Sequence, residues 1–102
     1  MHKVVALYKK PDDPAAFDAH YREVHTPLAM KMPGLRKLEV AKCTGTIPPG
    51  GDPPYYQIAE MWFDSAEAAK AAFASPEGRA AGKDVMSFAG KIITLVNAEI
   101  QS

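Results

Sequence analysis

DPAAFDAHYREVHTPLAMKMPG, residues 13–34, decides the fold. Asp13 is a natural N-cap, because its carboxylate can accept from the free amide donors of a first helical turn. Pro14 suits the first helical position, where its missing N–H costs nothing. At 100° per residue, Phe17, Tyr21, Val24 and Leu28 share one stripe, and His20 and His25 fall on its opposite edges. Pro27 lacks the N–H that would bond Glu23, and it disfavours helical geometry at Thr26. The expectation is therefore a helix broken at Pro27. Thr26 caps a second short helix, which ends near Pro33-Gly34. His25 then sits at a helix end beside a freed carbonyl, where the dipole favours the protonated ring.

Outward from this segment, strand patterns dominate. His2–Lys9 carries Val4, Ala6 and Tyr8 on one alternating face and Val5 and Leu7 on the other, as in a strand covered on both sides. Leu35–Thr44 is a second strand. Thr44–Pro54, TGTIPPGGDPP, holds four prolines and three glycines and reads as a long hairpin loop. Tyr55–Phe63, YYQIAEMWF, is a third strand. One of its faces carries Tyr55, Gln57, Ala59, Met61 and Phe63, and the other Tyr56, Ile58, Glu60 and Trp62. Asp64 and Glu67 form a capping box for a following helix. Ser75-Pro76 starts another short helix that Gly82 ends. Phe88–Ala98 is a fourth strand.

This order, βαββαβ, predicts a single α+β domain over residues 1–102, with a ferredoxin-like, four-stranded antiparallel sheet and helices on one face. The opposite face would expose a large apolar patch, which a homodimer packed sheet to sheet would cover. A ligand pocket is expected where the two sheets meet.

Composition narrows the function. Twelve basic and twelve acidic side chains cancel, so no electrostatic case exists for nucleic acid or an acidic membrane. No apolar run spans a bilayer and the N-terminus does not read as a signal peptide, so a cytoplasmic protein is expected. The single cysteine, Cys43, permits no intrachain disulfide and reads as an inert thiol. His20 and His25 lie five residues apart, some 140° round an α-helix, which does not place both rings on one metal. No metal and no cofactor are expected.

His25 is the candidate general acid/base, since histidine titrates near working pH. Glu60, a carboxylate inside an apolar strand, is its candidate partner. Tyr8, Tyr21, Tyr56 and Trp62 are the candidate substrate-binding side chains. The competing reading gives His25 a purely structural bond to a strand carbonyl, and Glu60 an ion pair with Arg36, Lys37 or His25.

The residues also resemble the EthD family of dimeric α+β barrels. The similarity lies in Tyr8-Lys9-Lys10, the Phe17–Tyr21–Val24–His25–Pro27–Leu28 run, Pro33-Gly34-Leu35, Ala59-Glu60-Met61-Trp62-Phe63 into Asp64-Ser65, and more loosely Asp84 and Phe88. It covers nearly the whole chain. The family is named for ethyl tert-butyl ether degradation. Its fungal relatives resemble cofactor-free enzymes acting on aromatic polyketides, and the wider barrel superfamily includes isomerases, monooxygenases and haem enzymes. The resemblance implies a dimeric barrel, and fold alone does not choose the chemistry. Three readings stand: a cofactor-independent isomerase, dehydratase or monooxygenase acting on an apolar or aromatic compound; a non-catalytic accessory or ligand-binding protein of an oxidative degradation pathway; and a structural dimer.

Overall fold

The computed structural model describes all 102 residues, Met1–Ser102. The elements run β1 (His2–Tyr8), α1 (Pro14–His20), a π-helical turn (Tyr21–His25), α2 (Thr26–Ala29), β2 (Lys37–Lys42), β3 (Gln57–Phe63), α3 (Ala66–Ala74), α4 (Pro76–Ala89) and β4 (Ile93–Glu99). The strands form one antiparallel sheet in the order β2-β3-β1-β4. This is the ferredoxin-like arrangement expected from the strand order.

The alternation in β1 and β3 translates directly into two faces. Val4, Ala6 and Tyr8 of β1 and Gln57, Ala59, Met61 and Phe63 of β3 are buried under the helices. Register places Lys37, Trp62, Lys3 and Ala98 in one row across the other face, then Glu39, Glu60, Val5 and Val96, then Ala41, Ile58, Leu7 and Thr94. That face is not uniformly apolar. Lys3 bonds Glu60 at 2.7 Å across it, and Lys3 and Lys37 both lie over the Trp62 ring. Tyr56 leaves it altogether, because its hydroxyl reaches round the sheet end to Asp18.

Under the helices the core has two parts. Val4, Met32, Met61, Phe63, Ala69 and Ala72 pack at one end of the sheet. Tyr8, Phe17, Tyr21, Ala59, Val85 and Ala89 pack at the other. Phe17 meets Tyr8 edge-on at 5.4 Å and stacks on Tyr21 at 5.8 Å.

Several boundaries differ from expectation. The helix does not break at Pro27. Thr26 is helical, at φ −58° and ψ −46°, and its amide bonds the carbonyl of Tyr21, five residues back. A π turn widens the helix by one residue, which accommodates the proline without ending the chain's helical course. It also resets the phase. The buried positions become Phe17, Tyr21, His25 and Ala29, while Val24 turns out to solvent. Ser65, not Asp64, caps α3 through Ala68 N–H, and Asp64 instead takes a bidentate bond from Arg36. Ser75 caps α4 with Pro76 at its start, as expected, yet α4 runs through Gly82 to Ala89. A glycine stops a helix by turning left-handed, and Gly82 has no positive φ. Phe88 is thus helical, and β4 begins only at Ile93. Gly34, at φ 81°, makes the turn into β2 as expected.

Candidate functional site

The π turn has a chemical consequence. In an α-helix His20 and His25 would diverge. A π hydrogen bond links residues five apart, and here it brings both rings to the side that faces α4. They meet there on one carboxylate. Asp84 Oδ1 lies 2.8 Å from His20 Nε2, and Asp84 Oδ2 lies 3.0 Å from His25 Nδ1. Phe88, one turn further along α4, packs its ring 4.3 Å from His20 and 5.8 Å from His25.

The two imidazoles are not equivalent. His20 is about a third exposed, at 34%, whereas the His25 side chain is 10% exposed and Asp84 13%. Burial holds the His25 pKa below its ordinary value, against the opposing pull of the Asp84 carboxylate. The favoured form is therefore neutral, with Nδ1–H donating to Asp84 and Nε2 left without a protein partner. The expectation of a helix-end, protonated His25 is corrected: mid-helix burial outweighs any dipole.

His25 lines a cavity of about 80 Å³ between sheet and helices. Tyr8 and Tyr21 line it too, with Met32, Leu38 and Met61. Tyr21 lies 5.1 Å from His25 and 5.6 Å from Tyr8, ring to ring. Burial, then the adjacent Tyr21 phenol, push the Tyr8 phenol far above its usual range. Burial likewise raises Tyr21, against an opposing pull from Tyr8. Both are proton donors, not phenolates, at any physiological pH. The site thus offers one imidazole acceptor and two phenols within an apolar wall. Such a set can take a proton from carbon and hydrogen-bond the oxygen that gains charge.

The other expected site residues are elsewhere. Glu60 does not reach His25. It sits on the opposite face of the sheet and pairs with Lys3, because β3 turns its even positions away from the helices. Trp62 shares that face. Tyr56 joins Asp18 and Lys42 at the end of the sheet, where Lys42 also bonds Gln57 at 2.6 Å. Nor does the pocket with His25 lie on the sheet face that a dimer would cover. The site residue to which sequence reasoning gave no role is Asp84, noted only within the EthD resemblance. Ending the Ser75-Pro76 helix at Gly82 left it off any element, although Asp84 and Phe88 are spaced i, i+4 and share a helix face once α4 continues. No group of three or more His, Cys, Asp or Glu side chains gathers in a way that could hold a metal ion. No helix is long and apolar enough to cross a membrane.

Comparison with known proteins follows the same line. The EthD domain profile matches residues 9–92. An ethyl tert-butyl ether (EthD) family protein of Bacillus halodurans C-125 is 42% identical, with 99% of each chain covered and a TM-score of 0.93. An uncharacterized 11.0 kDa protein in the thcB-thcC intergenic region of Rhodococcus erythropolis is 40% identical over 96 residues, covering 94% of this chain and 91% of that one. The fold extends to hydroxynitrile lyase from Passiflora edulis, at 16% identity, with 99% and 94% of the two chains covered and a TM-score of 0.76.

Proposed function

This chain belongs to the EthD family, and on that premise we propose that it is a cofactor-independent enzyme that moves a proton on an apolar or aromatic carbonyl compound. The observation that carries the reading is the Asp84–His25 pair. A carboxylate fixes Nδ1–H, and the free Nε2 belongs to a ring that lines an apolar cavity. His25 is the base, Asp84 its positioning residue, and Tyr8 and Tyr21 donate to the substrate oxygen. Loss of a proton beside a carbonyl is a step common to isomerisation and dehydration. Glu60 and Trp62 take no part in this chemistry. They belong to the surface across which two copies pair, through Val5, Leu7, Ile58, Trp62 and Val96, so the protein acts as a homodimer. The Passiflora protein supports the reading to this extent: a lyase has been built on the same fold.

The test is deuterium exchange. Purified protein is incubated in heavy water with a panel of small aromatic ketones, and loss of the α-proton signal is followed by NMR. Exchange above the buffer rate is expected, abolished in His25→Gln and retained in Glu60→Gln. Equal rates in wild type and His25→Gln would end the proposal. Binding of the ketones without exchange would favour the second reading, an accessory ligand-binding protein of an oxidative pathway. That reading rests on the same cavity, which needs no proton transfer to hold a guest. Light scattering checks the assembly, with twice the chain mass of 11.0 kDa expected.

A further inference from the structure

The cavity beside His25 is not closed. Phe73 and Leu95 line it and also line an open groove of about 590 Å³ that runs along the edge strand β4 on the helix side of the sheet. Phe73 and Leu95 are thus walls common to both spaces. Leu95 is 51% exposed although its side chain points to the face that the helices occupy, because the sheet is wider than its helical cover. α3 packs over β1 and β3, which leaves this flank of β4 unroofed.

Gly82 is an independent sign that the inner end is kept open. It lies in the middle of α4 and lines the cavity, and a β-carbon added there would meet nothing within 4 Å. Glycine inside a helix is costly relative to alanine. At Gly78 that cost has a steric reason, since an added β-carbon would collide with backbone. At Gly82 no neighbour demands it. What glycine gives there is space.

The outer end has a different character. Lys70 of α3 borders the groove, as do His2 and Asn97, whose side chains bond each other at 3.1 Å. No carboxylate lines the groove. Between the ends the walls are apolar, formed by Val4, Ala69, Phe73 and Leu95.

We infer that cavity and groove form one binding channel for an amphipathic organic anion. Its charged head sits at Lys70, its apolar body lies between Phe73 and Leu95, and the part remote from the charge passes Gly82 to His25. The inference rests on the proposed function in placing the reacting end at His25, and adds the substrate class. A homodimer formed through the opposite face of the sheet leaves this channel open.

Straight-chain probes test it: octanoate, octan-1-ol and octylamine, measured by calorimetry and by the shift in melting temperature of the full-length protein. Octanoate should bind, and should exceed the alcohol and the amine. An exposed charge pair contributes at most about fivefold in affinity, and Lys70→Glu removes that pair and adds a like-charge repulsion, so it should weaken octanoate about fivefold or more while leaving octanol unchanged. Gly82→Leu should abolish binding while the melting temperature holds or rises. Leu95→Asp, a change at an exposed position, should also weaken the anion, and guards against misfolding of the first variant. Equal binding of all three probes, no binding of any, or unaltered octanoate affinity in both Gly82→Leu and Leu95→Asp would each overturn the inference. Protection of the groove in the free dimer by a second copy along β4 would overturn it too. Loss of proton exchange with binding intact speaks only to the catalytic reading, and a failed channel speaks only to this one.

Discussion

Asp84→Asn isolates the interaction on which the site depends. The carboxylate accepts from His20 Nε2 at 2.8 Å and from His25 Nδ1 at 3.0 Å. An amide of the same shape has one oxygen, so it can satisfy one imidazole N–H and must present its NH₂ to the other. Hydrogen bonds to a charged partner contribute about 1.5–3 kcal/mol net. The outer bond, to a third-exposed His20, is discounted for solvent screening, while the inner bond counts nearly in full. The expected loss is about 2 kcal/mol, or roughly 10 °C in melting temperature for a domain of this size. The sign of the His25 shift follows separately. Burial lowers its pKa and Asp84 raises it, so removing the carboxylate leaves burial unopposed and the ring still less basic. NMR of protein labelled with ¹⁵N-histidine reads both points. The wild-type spectrum should show neutral His25 in the Nδ1–H form, and the variant should titrate at lower pH. An Nε2–H tautomer in the wild type, or a variant that titrates at the same or higher pH, would refute the reasoning.

Further outcomes follow from the same geometry. Because the folded His25 pKa lies below the unfolded value of 6.5, the unfolded chain binds the extra proton first. The stability this contributes is fully present above about pH 6.5 and is lost as pH falls through the lower folded pKa; His25→Gln should flatten that part of a denaturation-versus-pH profile. Gly78→Ala would set a β-carbon 2.1 Å from the Ala72 carbonyl at the junction of α3 and α4, so urea denaturation should show a loss of about 2 kcal/mol or more. Glu60→Gln breaks a partly exposed pair with Lys3. It should cost under about 1 kcal/mol in the same assay and leave the His25 titration unmoved.

The sequence was most informative where structure is local. The inner faces of β1 and β3 obey simple alternation, and the caps at Asp13 and Ser75 depend on side chains three residues from the amides they bind. The Pro- and Gly-rich loop between β2 and β3 admits no regular element. The EthD resemblance extends these local features to the whole chain. Pro27 marks where local reading gave out. A proline can end a helix or be absorbed by a π turn, and the choice depends on what the following residues gain by packing. Here the π phase buries His25 and Ala29 and exposes Val24, an outcome set by the sheet and α4, not by the segment's own pattern.

The chain order alone therefore determined a four-stranded α+β domain with one helical face, because strand period and helix caps are written within a few residues of where they act. Only the tertiary structure decided which imidazole is buried, that Asp84 holds it, and that Glu60 faces away. His25 and Asp84 are 59 positions apart, and His20 and Asp84 are 64. Alternation says that a strand has two faces but not which one the helices will cover. Contacts at such range exist only after the helices have docked, when burial selects the phase of each helix and the face of each strand.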